Sequence, residues 1–415
     1  MFFRKLFCVV LVCALMCLSV SVFADETEVV PVDKSVVTEY NSVDLKEPLV
    51  FDATETIAGV GERLEIPAKS CILMEVSTGE IIYESQSHIK LPPASITKIM
   101  ALLLVMEAID SGQLSLETQL TASPYACSMG GSQIWLEPNE QMTVNDLLKA
   151  AVIGSANDAT VMLGEALAGS EEGFVNMMNE RAGQLGLADT TFINSTGLDA
   201  EGHLTSAHDI AVMSRELIKH DLIKNYSTVW MDSLRNGESE LVNTNKLVRF
   251  YQGCTGLKTG TTSGAGACLS ATAERDGLEL VAVVMGAANS NDRFNGARKL
   301  LDYGFANYTF VTVTAPEENL RKIPISGGTR DFVTSICTEQ KGFLIEKKHM
   351  KTLTTETELP KALKAPIAKG QQIGVTRVFS DGKEIGTVKI VAQEGVSRIT
   401  FKFSFKNLLK NIFYV

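Results

Sequence analysis

The sequence predicts an α+β fold followed by a small all-β domain. Short apolar strand patterns stand at both ends of a region in which helical patterns fill the middle, and this order favours an antiparallel sheet with helices packed on it. After residue 314 the pattern is alternating and rich in turn residues. We therefore expect one mixed domain over residues 63–314 and an all-β domain over residues 315–398.

Within the first domain, strand and helix patterns are separated by recognisable turns. A long helix is expected from Ser95 onward, and its apolar positions surround most of its circumference, which indicates a central buried helix. Apolar runs and apolar periodicity predict the remaining elements. The strands are expected at residues 71–76, 81–83, 256–260, 267–274 and 278–286, and the helices at residues 144–152, 158–168 and 171–185.

The second domain contains a clear hairpin signal and is followed by an amphipathic segment. Residues 373–379 and 384–391 flank Asp381-Gly382, a favoured two-residue turn. In residues 402–415 the apolar side chains recur at helical spacing, with lysines on the other side. Such a terminal helix either docks on its own domain or lies in a membrane interface, and its lysines and aromatic residues favour the membrane.

The N-terminal 24 residues have the layout of a secretory signal peptide. Arg4 and Lys5 precede an uncharged run that ends Val-Phe-Ala before Asp25. The apolar run is also long enough for an uncleaved anchor, and both interpretations predict an exported protein. Residues 25–62 are acidic and mostly without periodicity, and we expect them to form an extended spacer.

Composition excludes several classes of function. A formal net charge of -11 argues against nucleic acid as a partner, because binding phosphates requires clustered Lys and Arg. No Cys or His cluster has zinc-ligand spacing, so we expect neither a metal nor a cofactor. The cysteines beyond residue 24 are odd in number and dispersed, which favours buried free thiols over a disulfide framework: Cys71, Cys127, Cys254, Cys268 and Cys337.

The stretch LPPASITKIM opens the long helix with a serine and a lysine on one face. Two prolines mark the helix start, and Ser95 is the natural N-cap. A capping box would place Glu or Gln three residues later, but this position holds Lys98. A lysine deprived of water can become a base, and helix N–H groups can stabilise an oxyanion. Ser95 is therefore either a nucleophile or only a cap; the same S-x-x-K spacing recurs at Ser380 and Lys383 across the hairpin turn.

Two further motifs follow in order along the chain. Ser155-Ala156-Asn157 lies between two helical patterns, and alone it could merely cap the second of them. Lys258-Thr259-Gly260 lies in a strand pattern, where the lysine alone could be an edge charge. The ordered set of three motifs matches the signature of penicillin-binding proteins and serine β-lactamases.

Longer segments make this resemblance specific. LPPASITKIM, MGGSQIWLEPNEQMTV, GSANDA, STGLD and GLKTGTT resemble segments of the low-molecular-mass D-alanyl-D-alanine carboxypeptidases, serine peptidases that trim peptidoglycan stems. The resemblance covers nearly the whole chain after the signal peptide. It implies a transpeptidase/β-lactamase-like catalytic domain, with an antiparallel sheet flanked by helices and a helical subdomain, followed by the β domain and the amphipathic helix.

The resemblance and the chemistry together assign catalytic roles. Ser95 would attack the carbonyl between two D-alanines, and Lys98 would take its proton. Ser155 would relay a proton to the leaving amine. Asn157 would hold the substrate amide and orient Lys98.

The other assigned residues would bind substrate. Lys258 and Thr259 would bind the terminal carboxylate, and Gly260 would leave room for the substrate along the strand edge. The N–H groups of Ser95 and Thr261 would form the oxyanion hole. Arg293 aligns with an arginine that assists carboxylate binding in the family, although alone it is equally a structural residue.

The expected function is a D-Ala-D-Ala carboxypeptidase at the outer face of the bacterial membrane. Its expected partners are peptidoglycan stem peptides, β-lactams as covalent inhibitors, and the membrane surface through the terminal helix. A serine β-lactamase is one alternative, but it needs a positioned carboxylate, and the nearest E-x-x-x-N pattern, Glu172 to Asn176, lies in a predicted amphipathic helix. The other alternative is a non-catalytic β-lactam receptor.

Overall fold

A computed structural model describes residue 49 and residues 58–413 of the 415-residue chain. The predicted signal peptide and most of the predicted spacer lie outside the described residues, as do the last two positions of the terminal segment. The elements below are numbered along the described part of the chain.

The first part of the described chain contains strands β1 to β9 and helices α1 to α9. The strands are β1 Ser70–Glu75, β2 Ile81–Ser85, β3 Gln119–Thr121, β4 Gln141–Thr143, β5 Met231–Leu234, β6 Ser239–Val242, β7 Cys254–Thr262, β8 Gly266–Arg275 and β9 Leu278–Ala287. The helices are α1 Lys98–Asp110, α2 Pro124–Cys127, α3 Val144–Val152, α4 Asn157–Ala168, α5 Glu171–Gln184, α6 Ala207–Ile218, α7 Asp221–Ser227, α8 Leu247–Phe250 and α9 Ser290–Asn307.

A five-stranded antiparallel sheet of order β2-β1-β9-β8-β7 separates two hydrophobic cores. Alternate residues of β9 enter opposite cores: Val281 and Val283 pack on the side of α1 and α6, whereas Leu280 and Ala282 pack on the side of α9. Both faces are therefore covered by helices, as the sequence predicts. Strand β7 lies at one edge of the sheet, next to the turn that carries Ser95.

The central helix α1 is buried nearly all round, and its start differs from the prediction. A 3₁₀ turn, Ala94–Thr97, precedes α1 and contains Ser95; we call it the Ser95 turn. Ser95 is not the N-cap, because Thr97 occupies that position and neither residue caps the helix with its side chain. The tighter 3₁₀ turn leaves Ser95 free to face Lys98 instead of the helix N–H groups.

A helical subdomain forms around α3, α4 and α5. Their observed bounds differ from the predicted ranges by a single residue at most. The side chain of Ser170 caps α5, and acidic residues in its first turn suit the positive end of the helix dipole. The connection between α3 and α4 carries Ser155 and Asn157, so the second motif stands at the start of a buried helix.

The second part of the described chain is a β structure followed by one helix. Its elements are β10 Tyr308–Val313, β11 Lys322–Ser326, β12 Phe332–Ile336, β13 Lys341–Glu346, β14 Thr354–Glu358, β15 Leu363–Lys364, β16 Gln372–Ser380, β17 Lys383–Ala392 and α10 Phe401–Phe413. Six strands form one sheet, and β10 pairs with β13. Because β10 continues directly from α9, the strands of this part begin at Tyr308, before the expected boundary at residue 315. Asp381 and Gly382 both have positive φ at the β16–β17 turn, as a tight hairpin requires.

Helix α10 presents apolar side chains to solvent. Phe401 is 86% exposed and Leu408 is 56% exposed, and Phe405 is also exposed. Within residues 58–413, the structure contains no helix that is both long and apolar enough to cross a membrane.

Candidate active site

The amine of Lys98 is buried and bound by oxygen atoms from three segments. Its Nζ lies 3.1 Å from Ser95 Oγ, 2.5 Å from Asn157 Oδ1 and 2.8 Å from the carbonyl oxygen of Thr196. The Lys98 side chain is fully buried, whereas Ser95 is partly exposed. The nucleophile candidate is thus reachable from solvent, and its lysine is not.

Burial lowers the pKa of Lys98 well below its usual value, and the nearby charge of Lys258 lowers it further. The carboxylates of Asp158 and Glu171 act in the opposite direction with smaller effect. A neutral amine has two N–H donors and one lone pair. The Asn157 and Thr196 oxygens can only accept, so they take both donors and leave the lone pair for the hydroxyl proton of Ser95. The geometry suits Lys98 as a general base.

The second motif places its residues at the start of α4. Asn157 donates from Nδ2 to the carbonyl of Gly130 at 2.6 Å, and its backbone N–H donates to Ser132 at 2.7 Å. These bonds fix the amide so that its oxygen faces Lys98. Ser155 is buried and has a φ of 63°, a strained conformation typical of functional sites. Ser155 is not among the three partners of the Lys98 amine.

Asp158 lies in the first turn of α4, and its carboxylate binds the backbone of a neighbouring segment. Its carboxylate accepts the backbone N–H groups of Ile134 and Leu136 at 3.1 to 3.2 Å, and it is fully buried. It therefore holds in place the segment that follows Gly130 and Ser132. Burial raises the pKa of Asp158, although the backbone bonds oppose this shift.

The third motif lies on edge strand β7. Lys258 is almost fully buried, and burial together with the charge of Arg293 lowers its pKa to about 7. Its Nζ donates to the Thr259 carbonyl at 3.1 Å. Thr259 Oγ1 donates to Thr244 Oγ1 at 2.6 Å, and the N–H of Thr244 bonds the carbonyl of Ile153, close to Ser155. Thr244 thus joins the third motif to the end of α3, two residues before the second motif.

Arg293, on α9, is tied to the strand that carries the third motif. Its Nη1 donates to the carbonyl of Gly260 at 3.1 Å and to Thr261 Oγ1 at 2.8 Å. Only 8% of Arg293 is exposed. In this structure its bonds hold β7 in place, and its charge lies near Lys258.

Two glycines, one on β7 and one in the segment after α5, pack closely against the Ser95 turn from opposite sides. A Cβ at Gly260 would lie 2.8 Å from the Ser95 nitrogen, and a Cβ at Gly197 would lie 1.8 Å from the Ala94 carbonyl oxygen. The absent side chain of Gly260 therefore makes room for the Ser95 turn, whereas the sequence analysis expected room for substrate. Ala94 itself has a φ of 50°, so the turn is strained and depends on this packing.

The residues that sequence reasoning missed lie mainly in one segment. Residues 193–197 supply the Thr196 carbonyl to Lys98 and press Gly197 onto the Ser95 turn. The signal in the sequence was the STGLD stretch, which carried no chemistry of its own. Glu171 anchors this segment by accepting the N–H and the hydroxyl of Ser195 at 2.7 and 2.9 Å.

Comparison with known proteins identifies the family to which the chain belongs. The pattern of the D-alanyl-D-alanine carboxypeptidase family matches residues 56–289, which include all three motifs. The chain belongs to this family. The pattern of the penicillin-binding protein 5 C-terminal domain matches residues 308–398, the β part that begins at β10.

Relatives of this family cover most of the chain. D-alanyl-D-alanine carboxypeptidase DacF of Bacillus subtilis is 39% identical over 338 residues, which is 80% of this chain and 87% of DacF. The crystal structure of penicillin binding protein 5 from Haemophilus influenzae superposes with a TM-score of 0.72 at 29% identity, covering 81% of this chain and 99% of that chain. Penicillin-binding protein D2 from Listeria monocytogenes, in its ampicillin-bound form, is 32% identical over 59% of this chain and all of that chain, with a TM-score of 0.54. The predicted fold class is thus confirmed.

Because Gly197 packs against the Ser95 turn, we expect Gly197→Ala to lose activity. The new Cβ would collide with the Ala94 carbonyl and displace Ser95, and we expect acylation by a fluorescent penicillin to fall by about 100-fold or more. Gly186→Ala is the matched control, because Gly186 also has positive φ but no heavy atom within 4 Å of its Cβ position. Both variants lose about 1–2 kcal/mol of stability from the left-handed backbone. Equal acylation rates in the two variants would show that the packing of Gly197 does not position Ser95.

Proposed function

We propose that this chain removes the terminal D-alanine of peptidoglycan stem peptides through an acyl-enzyme on Ser95. The observation that carries the proposal is the buried Lys98 amine, whose lone pair is left for the Ser95 hydroxyl by two carbonyl-type acceptors. Membership of the family identifies the reaction as D-Ala-D-Ala carboxypeptidase cleavage, and the similar structures are those of penicillin-binding proteins. The structure adds candidate atoms for each step.

In the first step Lys98 takes the proton of Ser95 as Oγ bonds to the carbonyl carbon between the two D-alanines. The carbonyl oxygen becomes an oxyanion and is bound by the N–H groups of Ser95 and Thr261. The close packing of Gly260 against the Ser95 nitrogen supports this assignment, because it brings β7, which carries Thr261, next to the Ser95 N–H group.

In the second step the peptide C–N bond breaks, and the D-alanine amine takes through Ser155 the proton that Lys98 accepted from Ser95, which returns Lys98 to its neutral form. Water then attacks the ester carbonyl and gives a proton to Lys98. The bond between Ser95 Oγ and the carbonyl carbon breaks to release the shortened stem, and Lys98 returns the proton to Ser95 Oγ. Atoms balance as one water consumed and one D-alanine released. The buried position of Ser155 beside the start of α4 supports its role.

The terminal carboxylate of the substrate would meet the positive charges of the third motif. Lys258 and Arg293 are both buried near β7. The Thr259 hydroxyl donates to Thr244 in this structure and would turn to the substrate carboxylate on binding. Because Lys258 has a pKa of about 7, its charge and its attraction for the carboxylate weaken as the pH rises above that value. Asn157 would bind the substrate amide.

A β-lactamase function has less support. Glu172 and Asn176, the residues of the E-x-x-x-N pattern, are both exposed on α5. The neighbouring Glu171 has both oxygens engaged by Ser195. A non-catalytic receptor is disfavoured by the complete hydrogen-bonded Ser95–Lys98–Asn157 set.

The reaction is tested by mass spectrometry of a pentapeptide stem. We expect wild type to release one D-alanine, and Ser95→Ala and Lys98→Met to reduce the rate by at least about a thousandfold, because the first removes the nucleophile and the second removes the base that accepts its proton. Ser380→Ala and Lys383→Met are matched controls in the second β part and should retain wild-type rates. Loss of labelled penicillin from wild type within seconds would instead identify a β-lactamase, and no turnover of either substrate would identify a receptor.

We further propose that the protein is exported and that α10 binds the outer surface of the cytoplasmic membrane. Support comes from its exposed Phe401, Phe405 and Leu408 and from the lysines of the same segment. The rings of Phe401 and Phe405 stack at 6.1 Å and form one apolar surface. Such a helix lies in the interface and does not span the bilayer.

Membrane binding is tested by co-sedimentation with vesicles that contain anionic phospholipid. We expect the chain beginning at residue 25 to bind, and the double variant Phe401→Ser/Phe405→Ser to bind at least about tenfold more weakly, because each buried aromatic ring contributes roughly 1.5–3 kcal/mol. Phe332→Ser, at another exposed aromatic residue, is the control and should bind normally. Equal binding by the double variant and the control would rule out α10 as the anchor.

A further inference from the structure

A buried histidine outside the three motifs connects the Ser95 turn to the 193–197 segment. His203 Nε2 lies 2.8 Å from Thr97 Oγ1, and His203 Nδ1 lies 2.9 Å from the backbone nitrogen of Ile193. His203 is 2% exposed and Thr97 is fully buried. The imidazole thus bridges the residue before Lys98 and the segment that carries the Thr196 carbonyl.

The two contacts fix the tautomer of the ring. A backbone N–H can only donate, so Nδ1 must be the unprotonated acceptor for Ile193. Nε2 therefore carries the proton and donates to Thr97 Oγ1. Burial lowers the pKa of His203 to about 4, opposed only by Asp199, so the ring stays neutral in this tautomer at ordinary pH.

The bridge closes a ring of contacts around the catalytic amine. Thr97 bonds His203, which bonds the backbone of Ile193 at the start of the segment. At the other end of the segment, the Thr196 carbonyl accepts from Lys98 Nζ. The ring is closed by the chain itself, because Lys98 follows Thr97 in sequence. Glu171 holds the middle of the same segment, where it accepts hydrogen bonds from Ser195. Besides Lys98 itself, His203 joins the segment to the turn by hydrogen bonds at both ends.

We propose that His203 is a positioning residue that clamps the 193–197 segment onto the Ser95 turn and so holds the Thr196 carbonyl against Lys98 Nζ. This inference rests on the proposed role of Lys98 as the base. Without the clamp, the segment can move away from Lys98 and water can reach the amine. Hydration favours the ammonium form, so a larger share of the enzyme would hold Lys98 protonated and inactive at low pH.

The charged groups around the site are otherwise unchanged by the substitutions chosen below. Lys98 is faced by Lys258 from β7, by Asp158 from α4 and by Glu171 from α5, and His203 is faced by Asp199. None of these is altered. A shift in the pH dependence would then report the position of the segment and not a lost neighbouring charge.

The test breaks the bridge from each end in the full chain. Thr97→Val removes the acceptor of Nε2 at nearly constant volume, and Thr97→Ser keeps it. His203→Asn keeps an acceptor near the Nδ1 position but loses the bond to Thr97. His349→Gln, in the second part of the chain, is the control for replacing a histidine.

The measurement is the pH profile of the acylation rate constant with a fluorescent penicillin. We expect the acid limb of Thr97→Val and His203→Asn to move upward by about 0.5–1 pH unit, and that of Thr97→Ser and His349→Gln to stay at the wild-type position. The double variant Thr97→Val/His203→Asn should shift no further than either single variant, because both remove one bond. A merely destabilised fold would lower the amount of active enzyme without moving the limb.

An unmoved limb in Thr97→Val and His203→Asn, with wild type acylating normally, would overturn the clamp and leave the proposed function intact. Additive shifts in the double variant would also overturn it, since the two residues would then act separately. Failure of wild type to be acylated, or acylation that survives Lys98→Met, would overturn the proposed function itself.

Discussion

The proposed active site depends on a lysine amine that is removed from water and surrounded by carbonyl oxygens. Burying an ammonium group without a paired carboxylate is costly, so Lys98 loses its proton more readily than a surface lysine does. The Asn157 and Thr196 oxygens then determine where the remaining lone pair points, and it points at Ser95. Since no carboxylate bonds to Lys98 among the described residues, the amine can serve as a base at moderate pH. The rest of the fold brings these groups together.

Three separate segments are held on the Ser95 turn by close packing. Strand β7 approaches through Gly260, the 193–197 segment through Gly197, and the start of α4 through Asn157. The strained φ of Ala94 shows that the turn does not hold its shape by local preference alone. The sheet positions β7, and the buried helix α1 provides a rigid base for Lys98. Hydrogen bonds donated by Arg293 and accepted by Thr244 and Asp158 then hold the neighbouring segments in place.

The three motifs and most of the secondary structure could be identified from the sequence, because both depend on local patterns of residues. Apolar spacing gave helices α3 to α5 to within a residue, and Asp381-Gly382 identified its hairpin. The sequence could not show that Ser95 lies in a 3₁₀ turn, since a serine after two prolines fits an N-cap equally well. The purpose of Gly260 and the contribution of Thr196 depend on contacts between residues about a hundred positions apart or more. Such a contact through a backbone carbonyl leaves no trace in residue type.

The most direct measurement of the central claim is the protonation state of Lys98. In protein labelled with [ε-13C]lysine, the signal that disappears in Lys98→Met belongs to this residue, and its chemical shift distinguishes amine from ammonium. We expect Lys98 to give an amine signal within the pH range in which wild type is acylated, while surface lysines are still ammonium, because burial lowers the pKa of Lys98 well below its usual value. An ammonium signal from Lys98 throughout the pH range in which wild type is acylated would contradict this expectation.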